Sequence, residues 1–174
     1  MIVIADTTPL NHLILIGQIR LLQALYGRVI VPQAVLSELQ ARATPPKVKA
    51  WVSNRPDWLE VNQASFAIDP ALARLDPGER DAILLAQELG ADLLLMDDLG
   101  GRQEAARRNL KVAGTLTVLY LGATRGLVLD FPATVEQLRR TGFRASSEII
   151  QFFLDRYAKA KQLPATSYTQ RHKP

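Results

Sequence analysis

Three observations predict an α/β fold with a central, mostly parallel sheet flanked by helices. Short aliphatic runs, Ile2 to Ala5, Val29 to Val31 and Leu93 to Met96, alternate with longer segments of helical periodicity. Helix punctuation falls between the runs, most plainly Asp76-Pro77-Gly78-Glu79 at a start and Gly90 at a stop. Two of the runs end on acids, at Asp6 and at Asp97-Asp98. Buried strands that end this way deliver carboxylates to the rim of the sheet, where α/β proteins hold their ligands.

The elements follow in order. Residues 2–6 read as the first strand, and Thr8-Pro9 supplies an N-cap with proline at the first helical position, opening a helix to about Ile16. A second short helix reaches Tyr26 and stops at Gly27. After the strand at Val29 to Val31, Pro32 starts a helix whose inner face carries Val35, Leu36 and Leu39, with Glu38 beside that stripe. The proline-punctuated stretch 43–56 predicts a short surface helix, and 59–61 an edge strand. The helix opened at Asp76 runs to Leu89; Leu93 to Met96 is the next buried strand. Beyond Gly100-Gly101 the pattern predicts a helix over 102–110, a short strand at 111–113 and a helix from Gly114-Thr115 through Arg125. Helices near 132–141 and 146–160 complete a single domain over 1–158, followed by a polar, basic tail at 159–174 that is expected to be flexible.

A chain of 174 residues suffices for one core that buries roughly 70% of its unfolded surface. The composition, 48% hydrophobic and 22% charged, is that of an ordinary globular protein, and no apolar stretch approaches the ~20 residues that span a bilayer. No membrane partner is expected. The first residues, Met1 to Asp6, carry no basic leader, so a cytoplasmic location is expected. The absence of cysteine excludes disulfides and thiolate metal sites, and His12 and His172 lie too far apart in sequence to suggest a ligand pair. The net charge is +4 although the strand ends are acidic, so positive charge gathers elsewhere: Arg102, Arg107, Arg108 and Lys111, then Arg139, Arg140 and Arg144, then the tail. Such clusters either steer a polyanion or form solvated helix faces.

The acids themselves are the candidate site. Glu79 has a structural reading as the reciprocal partner of Asp76 in a capping box, and Asp6 has one as a helix cap. On the helix opened at Asp76, Glu79 projects with Ala82, Ile83 and Ala86, whereas Asp81 points toward solvent. Two successive acids after a buried strand repel: at 4 Å and an effective dielectric near 20, a like-charge pair costs about 4 kcal/mol. Clustered carboxylates therefore require a cation or raised pKa values, and oxygen-only ligands suit a hard divalent ion such as Mg²⁺.

In these residues the chain resembles the PIN-domain nucleases. Ile4-Ala5-Asp6-Thr7-Thr8 resembles the family's first motif, Pro32 through Val35 to Glu38 its second, and Gly78-Glu79 to Ala86 and then Leu93 to Asp97 its third and fourth acids. Gly78-Glu79, with Asp97-Asp98 followed by Gly100-Gly101-Arg102, is similar to an uncharacterised prokaryotic PIN-like subgroup related to the VapC-type toxins. The resemblance implies a PIN-like three-layer α/β/α fold and a metal-dependent endoribonuclease that cleaves single-stranded RNA. It implies that Asp6, Glu38, Glu79 and Asp97 are the catalytic, metal-holding acids for Mg²⁺ or Mn²⁺, with Asp98 as a further ligand. Thr8 is then expected to orient Asp6, and Arg102 to contact phosphate or pair with the acids. The same resemblance implies a homodimer, and a small antitoxin protein as partner. The sequence departs from many toxins in carrying Glu79 rather than Asp as third acid and Leu95 where a hydroxyl residue is usual.

A non-catalytic PIN-like module that binds RNA or protein is the competing expectation. A haloacid-dehalogenase-type phosphatase would need Asp-x-Asp where the chain has Asp6-Thr7-Thr8, and a receiver domain would carry its acidic doublet after the first strand.

Overall fold

The computed structural model describes residues 1–63, 66–67 and 69–162. Its sheet has five strands, all parallel: β1 (Val3–Ala5), β2 (Val29–Pro32), β3 (Leu59–Asn62), β4 (Leu93–Leu95) and β5 (Val112–Ala113), in the order β3-β2-β1-β4-β5. The chain builds outward from β1 through β2 to β3, then crosses back to lay β4 on the other flank of β1. The topological switch therefore lies between β1 and β4, whose register pairs Ala5 with Leu95.

Period-two alternation splits the strands between two cores. Val3, Ala5, Val31 and Leu95 face one layer, built on α1 (Thr7–Leu15), α2 (Arg20–Tyr26), α3 (Gln33–Leu39), α4 (Pro46–Ser53), α7 (Thr115–Thr124), α8 (Phe131–Arg140) and α9 (Ser147–Gln162). Ile4, Leu94 and Met96 face the other, against Ala82, Ile83, Leu85 and Ala86 of α5 (Pro77–Glu88) and Ala105 of α6 (Leu99–Arg107). Helices on both faces of a parallel sheet make the three-layer PIN-like arrangement, and explain why the strands read as unbroken aliphatic runs.

Some boundaries differ from the sequence reading for identifiable reasons. Asp6, not Thr8, caps α1, and Pro9 sits inside the first turn. Pro32 closes β2 and precedes α3 rather than opening it. Helix α6 starts at Leu99 because Asp98 Oδ1 accepts the Gly101 amide at 3.0 Å, which draws both glycines into the first turn. A 3₁₀ turn at Pro70–Leu72, unforeseen in the sequence, brings the buried Leu72 to the α5 face. Helix α9 continues through Gln162 and so takes in the first residues of the expected tail; residues 163–174 lie outside those described. Among the described residues no helix is long and apolar enough to cross a membrane.

Candidate metal centre at the carboxyl edge of the sheet

Parallel strands place their carboxyl ends on one edge, and the acids gather there. Asp6 follows β1 directly and is only 1% exposed, its own amide bonded to the Leu95 carbonyl of β4 at 2.9 Å. Its Oδ2 accepts a long 3.4 Å bond from the Thr8 amide, whereas Oδ1 is buried with no partner. Burial pushes the Asp6 carboxyl up to about 7, and the charges of Glu79 and Glu38 push the same way against the Thr7 and Thr8 amides.

Glu38 stands on α3, which follows β2, and both its oxygens are held. Oε2 accepts the Thr7 hydroxyl at 2.5 Å and Oε1 accepts the Gly78 amide at 2.6 Å, at the start of α5. Gly78 has to be glycine for this. A Cβ there would collide with the Glu38 carboxylate and come within 2.8 Å of Thr7 Oγ1. One residue on, Glu79 Oε2 accepts the Asp76 amide at 3.3 Å, so the capping-box role is real. Its carboxyl is nonetheless pushed up to about 7, by burial first and then by Asp98, Asp76 and Glu38. Asp81 is not free in solvent: its side chain is 20% exposed and pairs with Arg80 at 2.9 Å.

Asp97 follows β4. Its Oδ1 accepts the Thr115 amide at 2.8 Å and its Oδ2 the Thr115 hydroxyl at 2.5 Å, where α7 begins. Burial raises its pKa, opposed by these two bonds and by the charges of His12 and Arg102. Thr115→Val keeps the shape and the amide bond but removes the hydroxyl. It is expected to destabilise by about 1–2 kcal/mol near neutral pH, measured by denaturant unfolding, because a half-buried carboxylate loses a donor; an unchanged midpoint contradicts this. Asp98 is exposed and spends one oxygen capping α6.

Arg102 donates to the Met96 carbonyl at 3.0 Å and, among the described residues, closes no ion pair with an acid. The expected role of Thr8 shifts: its amide reaches Asp6, while the hydroxyl that touches an acid belongs to Thr7. Thr7, Gly78 and Thr115 are the supports that the sequence reading missed. His12, buried, bonds Thr141 Oγ1 through Nδ1 at 2.6 Å and meets Phe143 edge-on. Much of the basic surface is consumed locally: Arg107 and Arg108 pair with Glu104, Arg108 also with Asp69, and Arg139 and Arg140 with Glu136.

Glu79 and Glu38 are thus near enough to raise the pKa of Asp6, and Asp98 and Glu38 that of Glu79, with Asp97 on the adjacent strand end. Yet no group of three or more His, Asp or Glu side chains among the described residues is drawn together closely enough to hold a metal ion. The acids share one edge of the sheet and act on one another electrostatically without converging on one point. A divalent cation suits this donor set: an unpartnered buried carboxylate oxygen and carboxyls with raised pKa values are what a hard cation would neutralise.

The fold and edge define an α/β domain with an acidic switch-point site. A family model for the PIN domain matches residues 2–159, and the chain belongs to that family. The PIN fold is a nuclease-type fold. No curated protein and no solved structure matches the chain.

Proposed function

We propose that the chain is a metal-dependent endoribonuclease that hydrolyses phosphodiester bonds of single-stranded RNA. In this reading it is a cytoplasmic homodimer and the toxin of a prokaryotic toxin–antitoxin pair, restrained by a small antitoxin protein. The observation that carries the catalytic part is Asp6, with its buried, unpartnered oxygen, facing the charges of Glu38 and Glu79 at the β1/β4 switch point. The toxin, antitoxin and dimer rest on the motif resemblance.

Asp6, Glu38, Glu79 and Asp97 would hold Mg²⁺ or Mn²⁺, with Asp98 as an outer contributor. When bound, such a cation activates water for in-line attack and stabilises charge on the leaving oxygen. The protein's own contribution is positioning. Thr7 and Gly78 fix Glu38, Thr115 fixes Asp97, and Arg102 supplies positive charge beside Asp97 for a phosphate. Asp6, with its carboxyl near 7, must give up its proton before it serves as a ligand.

The test is digestion of an unstructured RNA with Mn²⁺ and with chelator. Cleavage is expected only with the cation, and Asp97→Asn is expected to slow it about 100-fold, the upper end of what even indirect disruption of a metal site costs. Cleavage at the wild-type rate by the variant would remove Asp97 from the site.

A second reading, a non-catalytic module that binds RNA or protein, is favoured by one observation: both oxygens of Glu38 and both of Asp97 already accept protein hydrogen bonds. It expects RNA affinity without cleavage under any divalent cation.

A further inference from the structure

Helix α9 buries Tyr157 and packs Phe153 and Leu154 inward, yet leaves Phe152 52% and Ile149 49% exposed. These two side chains line a groove of about 560 Å³ whose wall also includes Asp97, Arg102, Phe143 and Arg144. That volume falls within the roughly 300–1,000 Å³ of small-ligand pockets and admits a nucleoside. The groove is continuous with the acidic edge, because Asp97 belongs to both.

We propose that this groove is a base-stacking subsite, in which Phe152 receives the base of a nucleotide next to the phosphodiester presented to the acids. The inference rests on the reading of the chain as one that acts on single-stranded RNA.

The Phe152 ring is held ready rather than loose. The Arg156 guanidinium lies 5.4 Å from its centroid and 5.5 Å from that of Tyr120, and Phe153 meets it edge-on at 5.5 Å. A supported, half-exposed aromatic ring is a platform for any base, since every base offers a π-face. The charges fit the same ligand. Beyond Asp97 at the acidic edge, the charged groups lining the groove are Arg102 and Arg144, and Arg144 is exposed. One nucleotide satisfies both features, with its base on the ring and its phosphates toward the guanidinium groups. An apolar protein segment would cover the ring but leave the arginines without anions.

The experiment is fluorescence anisotropy of a labelled, unstructured RNA with the full-length protein in chelator, so that binding is read without cleavage. Phe152→Ala and Phe152→Leu are each expected to weaken binding about tenfold or more, and Phe152→Tyr to restore it. An abasic residue walked along the oligonucleotide is expected to cost wild type a similar factor at one position and the alanine variant nothing. Wild-type affinity in both the alanine and leucine variants overturns the proposal, as does a groove whose mutation turns a dimer into a monomer while RNA binding stays intact. If the variants bind and cut like wild type with Mn²⁺, the subsite fails and the nuclease stands. If they lose RNA as expected while wild type cuts nothing with any cation, the nuclease fails and the subsite stands.

Discussion

Asp6→Asn is expected to stabilise the metal-free protein at pH 8 while abolishing cleavage. The Asp6 carboxyl moves from 3.8 in the unfolded chain to about 7 in the fold, so its ionisation opposes folding by about 4 kcal/mol once pH exceeds 7. Because the folded value is raised, the stability associated with this group is fully present below pH 4 and is lost as pH rises from 4 through 7. Asparagine removes the charge, retains a carbonyl oxygen to cap α1, and leaves its amide group short of partners at a cost of about 1–3 kcal/mol. The net gain is therefore about 1–3 kcal/mol, roughly 5 °C in melting temperature for a domain of this size. Thermal unfolding of both proteins across pH 4 to 8 in chelator tests this. The variant's advantage is expected to appear only as pH rises; a variant less stable than wild type at pH 8 contradicts the assignment of a strained carboxylate. A cation reverses the balance, because it binds the wild-type carboxylate and raises only the wild-type melting temperature.

Gly78→Ala is expected to weaken Mn²⁺ binding by about 10–100-fold, the usual cost of disturbing groups that orient metal-holding side chains. On propensity alone the change is favourable, since alanine gains up to about 1 kcal/mol over glycine within a helix. The added Cβ, however, meets the Glu38 carboxylate and the Thr7 hydroxyl. Glu38 can swing away only by giving up its bonds to Thr7 and to the Gly78 amide. The variant is therefore expected to stay folded, with stability near wild type, while the acids lose their arrangement. Titration with Mn²⁺ and a melting curve read the two effects separately. Wild-type metal affinity in the alanine variant would show that the position of Glu38 does not matter.

The fold was legible where chemistry is local. Aliphatic runs and helix punctuation place the five strands and nine α-helices found among the described residues to within a few residues, because a sheet buried on both faces has to be written in Val, Ile and Leu. Boundaries set by a single capping bond were misplaced. Asp6 and Asp98 each act as N-cap at a position the sequence leaves ambiguous between cap and ligand. The candidate acids were legible as strand-end and helix-start carboxylates. Their supports were not, since each is a contact between elements distant in sequence: Thr7 with Glu38, Glu38 with Gly78, Asp97 with Thr115. Nothing in the residues near Thr7-Thr8 tells which hydroxyl turns inward. The groove beside Asp97 was illegible for the same reason, as it joins α6, the start of α7 and α9.

The most direct test of the central claim, that these carboxylates together bind a divalent cation, is calorimetric titration of the metal-free protein with Mn²⁺ at pH 6.5 in two buffers of different ionisation enthalpy. Asp6 and Glu79, both pushed to about 7, are largely protonated there, so binding is expected to release protons and its apparent heat to depend on the buffer. The proton release should fade by pH 8.5, and Asp6→Asn should bind far more weakly. No binding in either buffer, or binding that Asp6→Asn leaves untouched, would contradict the claim.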